Sequence, residues 1–287
     1  MIHISKIFFL TQFADDSTVT YSADTLAQVT KMAEKDFKLV LDWLADNKLI
    51  INLNKTHIML FTTRKRTSPL SINVNGQIIN ETEETKFLGI ILNNKLKWDS
   101  HIKYISKKIC KSTSILKMLK FTFPSRILKS LYHSLVYPYY TYCNLIWGSA
   151  PSSHINSLVI LQKKCIRIIS KTGYLEHTEP LFKELKLLNV DQIYKYNCAK
   201  FIYCITNHIK YPEFIDTLSK KKNSDIHDHN TRSKNNLRPS SSRLHKFTNS
   251  FQYTGIETWN SLPKNIQEIK PYLTFNRKLK FHILENK

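Results

Sequence analysis

Two adjacent carboxylates, Asp15 and Asp16, sit in the segment Phe13-Ala14-Asp15-Asp16, just after the apolar run Ile7-Phe8-Phe9-Leu10. An aspartate pair at the tip of a strand–turn–strand can hold a hard divalent cation against a phosphate, because Mg2+ takes carboxylate and phosphate oxygens and keeps several waters. No acidic residue precedes Asp15 in the sequence, so the pair is expected to be half of such a site. Taken as a dipeptide alone, Asp-Asp after a strand reads more readily as an ordinary exposed turn.

The elements that must position this pair follow from the spacing of apolar residues. From Thr25 to Asp46, Leu26, Val29, Ala33, Phe37, Val40, Leu41 and Leu44 recur at helical spacing, with Asp24 or Ser22 expected as N-cap. Thr56–Thr62 reads as a strand. Ile72 and Val74 alternate with polar residues up to Asn75-Gly76, a strong hairpin signal, and Ile78 continues beyond it. Lys86–Leu92, with Phe87-Leu88-Gly89-Ile90, reads as a further strand.

Past Trp98 the pattern turns helical. Ile102, Ile105, Ile109, Leu116 and Leu119 form one stripe, with Lys103, Lys107, Lys111 and Lys117 largely off it. Pro124 is placed to open a helix through Ile127, Leu128, Leu131 and Leu135 that Pro138 should stop. Another runs from about Ser152 to Ser170, with Gly173 as the expected C-cap. Thr178–Leu188 and Asp191–Thr206 follow as helices. Residues 220–242 are polar and basic and read as a linker, before a short tail holding Phe251, Trp259, Leu262 and Phe275. The reading is an α+β chain: an antiparallel sheet with a helix over 1–97, a basic helical region over 98–175, a helical extension over 176–219, a linker over 220–242 and a small segment over 243–287.

The 287 residues carry a formal net charge of +21 and are 42% hydrophobic, enough for one large domain or two ordinary ones. Such an excess points to a polyanionic partner, most simply nucleic acid. A coding bias toward Lys, Asn and Ile would raise the charge without any partner, so its distribution matters. From Asp99 to Leu175 there are 12 basic residues and one acid, whereas Asp15 to Glu84 carries both signs. The five cysteines are odd in number, widely spaced and without a CxxC, which excludes a disulfide framework or zinc finger and favours reduced thiols inside the cell, in cytoplasm and nucleus. The N-terminal apolar run is too short for a secretory signal. The charge-free stretch between Lys129 and Lys163 is broken by Pro138, Asn144 and Pro151, short of the roughly 20 apolar residues a membrane span needs.

The order apolar strand, Ala-Asp-Asp, second strand, amphipathic helix, Lys-bearing segment, hairpin and Phe-Leu-Gly resembles the second half of a reverse-transcriptase palm of the non-LTR (LINE-type) retrotransposons. The blocks WLADNKLIINLNKTHIMLF, FLGIILNNKLKWDSHI, LQKKCIRII, HTEPLFKEL, HDHNTRS and GIETWNSLP continue the resemblance to the jockey-like polyproteins, covering almost the whole chain. Each block is weak alone; their order carries the likeness.

The resemblance implies RNA-directed DNA polymerisation with an RNA template, a DNA primer, an RNA–DNA duplex and dNTP as partners, and Mg2+ as cofactor. It implies that Asp15 binds two Mg2+ together with an Asp from an earlier strand, clamping the attacking 3′ oxygen and the departing pyrophosphate. Asp16 then tunes the charge. Phe13 stands where many relatives carry Tyr. Lys55 falls where the family's lysine approaches the triphosphate and can act as general acid; it reads equally as a solvated lysine before a strand. Phe87, Leu88 and Gly89 match the hairpin that supports the primer end, a buried strand with a bulge being the compatible plain reading. Lys103, Lys107, Lys108, Lys111 and Lys117 occupy the thumb position and are expected to track phosphates, against a merely solvated face. Tyr132, Tyr137, Tyr139, Tyr140 and Tyr142 are core aromatics or base-stacking ones. His227-Asp228-His229 is a weak metal signal.

The fingers, the first palm Asp and the sugar-selecting helix lie N-terminal to the Asp-Asp box in the family, and an endonuclease further upstream. Twelve residues precede Phe13. The expectation is therefore a 5′-truncated frame, inactive by itself, with a non-catalytic RNA- or DNA-binding module on the basic helices as the alternative.

Overall fold

The computed structural model describes residues 8–62, 64, 69–74, 76–207, 209, 222–225, 234–239 and 245–285. The chain divides into two compact units, Met1–Lys97 and Trp98–Lys287. The α+β class is as the sequence indicated.

In the first unit, strands β1 (Phe8–Phe13) and β2 (Asp16–Tyr21) form an antiparallel hairpin. Helix α1 (Leu26–Asp46) follows. Its N-cap is Thr25, not Asp24 or Ser22. Thr25 Oγ1 accepts from the Gln28 N–H at 3.3 Å while the Thr25 N–H donates to Gln28 Oε1 at 3.2 Å. This reciprocal box satisfies two otherwise orphan donors, which a lone Asp24 side chain could not. The second hairpin pairs β3 (Ser71–Val74) with β4 (Gln77–Asn80), turning at Gly76, whose φ is +85° and whose N–H is bonded to Asn73 Oδ1. Asn75 lies outside the described residues. Alternation sets the register: Ile72, Val74 and Ile79 are buried with Ala33 of α1, and Tyr21, Phe37, Leu41, Leu53 and Ile58 pack around them.

Two expected strands are corrected. Thr56–Thr62 is not a strand. A 3-10 turn, Leu53–Lys55, leads into it, and Ile58 makes a single parallel bridge to Glu81, its carbonyl accepting from the Thr82 N–H at 2.8 Å. The apolar pattern there reflects a few side chains resting on the core rather than a ladder. Lys86–Leu92 is not one strand but the hairpin β5 (Glu84–Phe87) and β6 (Ile90–Asn93). Leu88 and Gly89 form the turn with φ of +45° and +84°. Two successive positive φ values match the twist of the flanking strands, so the chain reverses where the apolar run looks continuous. Among the described residues the strands pair as three separate two-stranded sheets.

The second unit is helical: α2 (Asp99–Leu119), α3 (Ser125–Leu135), α4 (Tyr137–Thr141), α5 (Asn144–Trp147), α6 (Ser152–Ile169), α7 (Thr178–Glu184), α8 (Val190–Thr206), α9 (His245–Thr248), α10 (Phe251–Asn260), α11 (Lys264–Gln267) and α12 (Tyr272–Glu285). One apolar cluster runs from Ile102 on α2 through Leu158 and Ile193 to Phe275 on α12. The stripe read on α2 is inward: Ile102, Ile105, Ile109 and Leu116 are buried. Tyr132 and Tyr140 are buried too, Tyr140 Oη donating to the Leu158 carbonyl at 3.1 Å and Tyr132 Oη accepting from Gln162. These two are core aromatics; Tyr142 is exposed.

Helix α6 ends without Gly173. Ser170 is its C-cap, and Lys171, with φ of +57°, takes the left-handed position. The Thr172 N–H then reaches back to the Arg167 carbonyl at 3.1 Å, closing the end before Gly173 is reached. Most of 220–242, and the His227-Asp228-His229 and HDHNTRS blocks, lie outside the described residues. Within that stretch Leu237 is buried and its backbone is bonded both ways to the Asn260 side chain, at 3.0 and 2.8 Å. That anchor departs from a free linker. No described helix is long and apolar enough to cross a membrane.

One buried group makes the second unit acid-sensitive. His101 is 2% exposed, with its ring centroid 5.9 Å from that of Trp147. Burial lowers its pKa; His133, lowered by partial burial and by Lys280 and Lys129, is solvent-exposed and adds little. The folded state therefore resists protons that the unfolded chain takes up below about pH 6.5. Stability is full above that pH and falls as pH drops toward the depressed folded values, until these groups titrate in the folded state too. The transition temperature of this unit is expected to fall by several degrees between pH 7.5 and pH 5.5, and His101→Gln should flatten part of the slope.

Candidate metal corner and nucleic-acid face

The β1–β2 hairpin holds the aspartate pair at its tip. Phe13 pairs with Asp16, leaving Ala14 and Asp15 as a two-residue turn. Both carboxylates and Phe13 are exposed. Ala14 adopts φ of +53°, a left-handed conformation that a Cβ makes unfavourable by roughly 1–2 kcal/mol. Ala14→Gly is expected to stabilise the first unit by about 1 kcal/mol in chemical denaturation, since Gly adopts this φ without a steric penalty.

The other end of β2 is pinned. Burial, and the Asp36 carboxylate it bonds, push the Tyr21 phenol up to about 12. Asp36 itself is 5% exposed on α1, and its Oδ2 has no hydrogen-bond partner. The sequence reading missed this tether, though its signal was present: Asp36 stands beside Phe37 and three residues from Ala33, a carboxylate intruding on the apolar face of α1.

As an Mg2+ site the corner is partial. Two adjacent carboxylates are the right hard donors, but among the described residues no group of three or more His, Cys, Asp or Glu converges to hold a metal. An octahedral ion needs six oxygens, more than Asp15 and Asp16 alone could supply.

Lys55 lies on a separate element, exposed at the end of the 3-10 turn. No hydrogen bond or ion pair among the described residues joins it to Asp15 or Asp16. Phe87, Leu88 and Gly89 come together at the β5–β6 turn, with Phe87 at 37% exposure.

The second unit carries the basic face. Lys103, Lys107 and Lys111 recur every four residues on α2, so they stack about 6 Å apart along one exposed side. Lys117, six residues past Lys111, is also exposed, about a third of a turn away from it. Lys108 sits off it, with Nζ 5.7 Å from the Tyr104 ring centroid. Asp99, in the first turn, is the only acid of α2. Like charges at i, i+4 destabilise an isolated helix by a few tenths of a kcal/mol per pair. The buried stripe opposite offsets that cost, and the lysines stay free to meet an anion.

The sequence is similar to RNA-directed DNA polymerases of jockey-like, non-LTR retrotransposons. In particular it is 27% identical over 188 residues to the probable RNA-directed DNA polymerase from transposon BS of Drosophila melanogaster, an alignment covering 64% of this chain and 21% of that protein. To the RNA-directed DNA polymerase from mobile element jockey of the same species it is 27% identical over 180 residues, 61% of this chain and 19% of that one. To the probable RNA-directed DNA polymerase from transposon X-element it is 26% identical over 194 residues, 66% and 21% respectively. The chain thus spans about a fifth of the length of the curated relatives it matches. No protein-family model and no solved structure matches it.

Proposed function

We propose that this chain supplies one carboxylate corner and the primer–template face of an RNA-directed DNA polymerase, the first palm Asp coming from another segment, in cis or in trans. What carries the reading is the position of Asp15 and Asp16 at the tip of a two-residue hairpin turn, in a chain whose relatives bear that name. Asp15 presents carboxylate oxygens toward a hard cation such as Mg2+, and Asp16 adds charge beside it. Lys55 approaches the triphosphate of the dNTP, and the Phe87–Gly89 turn supports the primer end. Lys103, Lys107, Lys108, Lys111 and Lys117 contact phosphates of the RNA–DNA duplex. Residues 1–97 are then the rear of a palm, 98–175 a thumb-like region, and 176–219 and 243–287 its helical extension. Residues 1–287 alone are not expected to polymerise.

A second reading, a non-catalytic RNA- or DNA-binding module, is favoured by one observation: the acid-poor lysine face of α2 needs no carboxylate corner to bind a polyanion. Primer extension by the chain joined to the palm and fingers of a relative separates the two. Activity lost on Asp15→Asn supports the polymerase; nucleic-acid binding with no extension from any such assembly supports the module.

A further inference from the structure

We propose that the turn between α2 and α3 is a stacking tip for unpaired bases of single-stranded nucleic acid. The inference rests on the polyanion-binding part of the function proposed above. The turn, Lys120–Pro124, carries Phe121 at 85% and Phe123 at 37% exposure, with Met118 at 80% beside them. Apolar side chains this exposed are normal one at a time; grouped at one helix end they mark a binding surface.

The turn is built to hold them. The N–H groups of Thr122 and Phe123 donate to the Leu119 carbonyl at 3.2 and 3.1 Å, and that of Leu128 to the Pro124 carbonyl at 3.2 Å. Lys120 Nζ donates to the Thr172 carbonyl at 3.1 Å, fixing the turn to the chain after α6, and lies 5.5 Å from the Phe121 ring centroid. The rings therefore stand on a braced support, with little entropy left to lose on contact.

Charge selects the occupant. Lys117 and Arg126 flank the turn, exposed, and no acid occurs from Ser100 to Leu175. Aromatic faces among cations suit a strand whose phosphates meet the cations and whose bases meet the rings. A duplex hides its base faces in its own stack, so an outward phenylalanine gains from a single strand or a frayed end and not from paired sites.

The test uses the 287-residue chain, a labelled oligothymidylate of about 12 nucleotides and a hairpin duplex of equal length. Phe121→Ala is expected to weaken single-strand binding about tenfold, leaving duplex affinity and the salt slope unchanged, while Phe121→Tyr retains it. Phe121→Trp should show quenched emission on adding the oligonucleotide and none on adding duplex. Equal loss on both probes, or no loss on either, overturns the tip. If Phe121→Ala changes nothing while reversing Lys103, Lys107 and Lys111 abolishes binding, the tip is wrong and the polyanion reading stands; if neither matters, both fall. Self-association lost in Phe121→Ala, with single-strand binding intact, makes the patch a protein-docking face and likewise overturns it.

Discussion

Asp15→Asn is expected to lower primer extension on the order of 10³-fold in the chain joined to the palm and fingers of a jockey-like relative and supplied with Mg2+ and dNTP. The substitution keeps size and shape and removes only charge. Asp15 lies in an exposed two-residue turn, so the hairpin should form and melt as before. What is lost is the anionic oxygen at the point where a cation would meet phosphate, an interaction that grows as negative charge gathers on the transferred group. The effect should appear in kcat far more than in KM for dNTP, and Mn2+, which tolerates poorer ligand sets, should recover part of it. Asp16→Asn, one step along the strand and opposite Phe13, is expected to cost about tenfold, through charge alone. If Asp15→Asn extends primers at the parent rate in an assembly that is otherwise active, the pair is an ordinary turn and the polymerase reading is lost.

How much of this could be read from residues depended on the range of the forces involved. The α2 stripe from Ile102 to Leu119 was legible because a packed helix repeats its demand every few residues: four of its five apolar positions are buried and Leu119 is partly so. The β3–β4 hairpin was legible for a similar reason, alternation ending in a turn-forming pair. Thr56–Thr62 was not, since a strand also needs a neighbouring edge to pair with, and only Ile58 finds one. The β5–β6 reversal hid from the apolar pattern, though the resemblance placed a hairpin at Phe87–Gly89, because Leu88 accepts a positive φ that its side chain disfavours. The span of α6 was legible but its cap was not, because Lys171 took the left-handed conformation that Gly173 was expected to supply. Local propensity yields wherever tertiary packing has already determined where the chain must turn.

The site divides in the same way. The Asp15–Asp16 hairpin and the exposed lysine face of α2 were visible as residue types at a spacing. The Tyr21–Asp36 tether and the Phe121 turn were not, because each depends on side chains brought together or left uncovered by the fold. Their signals were faint but real: a carboxylate on the apolar face of α1, and two phenylalanines between helices where polar residues would be usual.

Reversing Lys103, Lys107 and Lys111 to Glu should lower duplex and single-strand affinity by on the order of 10²-fold or more near 0.1 M salt, and should reduce the slope of log K against log salt by about three. Each lysine that meets a phosphate releases about one counterion, so three lost contacts remove about three from the slope, while new carboxylates add repulsion. The fold should survive. The three side chains are exposed, and the buried residues of α2 lie on the opposite face. New Glu residues at 103, 107 and 111 also replace Lys–Lys crowding with Glu–Glu crowding of similar size, so helix stability changes little. Lys108→Glu gives the single-site comparison, one phosphate contact reversed instead of three. Lys108 leans on Tyr104 and sits off the lysine side, so its reversal should cost less and move the slope by one at most. An unchanged slope in the triple variant would mean that α2 presents a solvated face and that the net charge of +21 acts only at long range. A slope reduced by three with Asp15→Asn inert in binding separates the two halves of the chain by role: the carboxylate hairpin for chemistry, the lysine face for holding the nucleic acid in place.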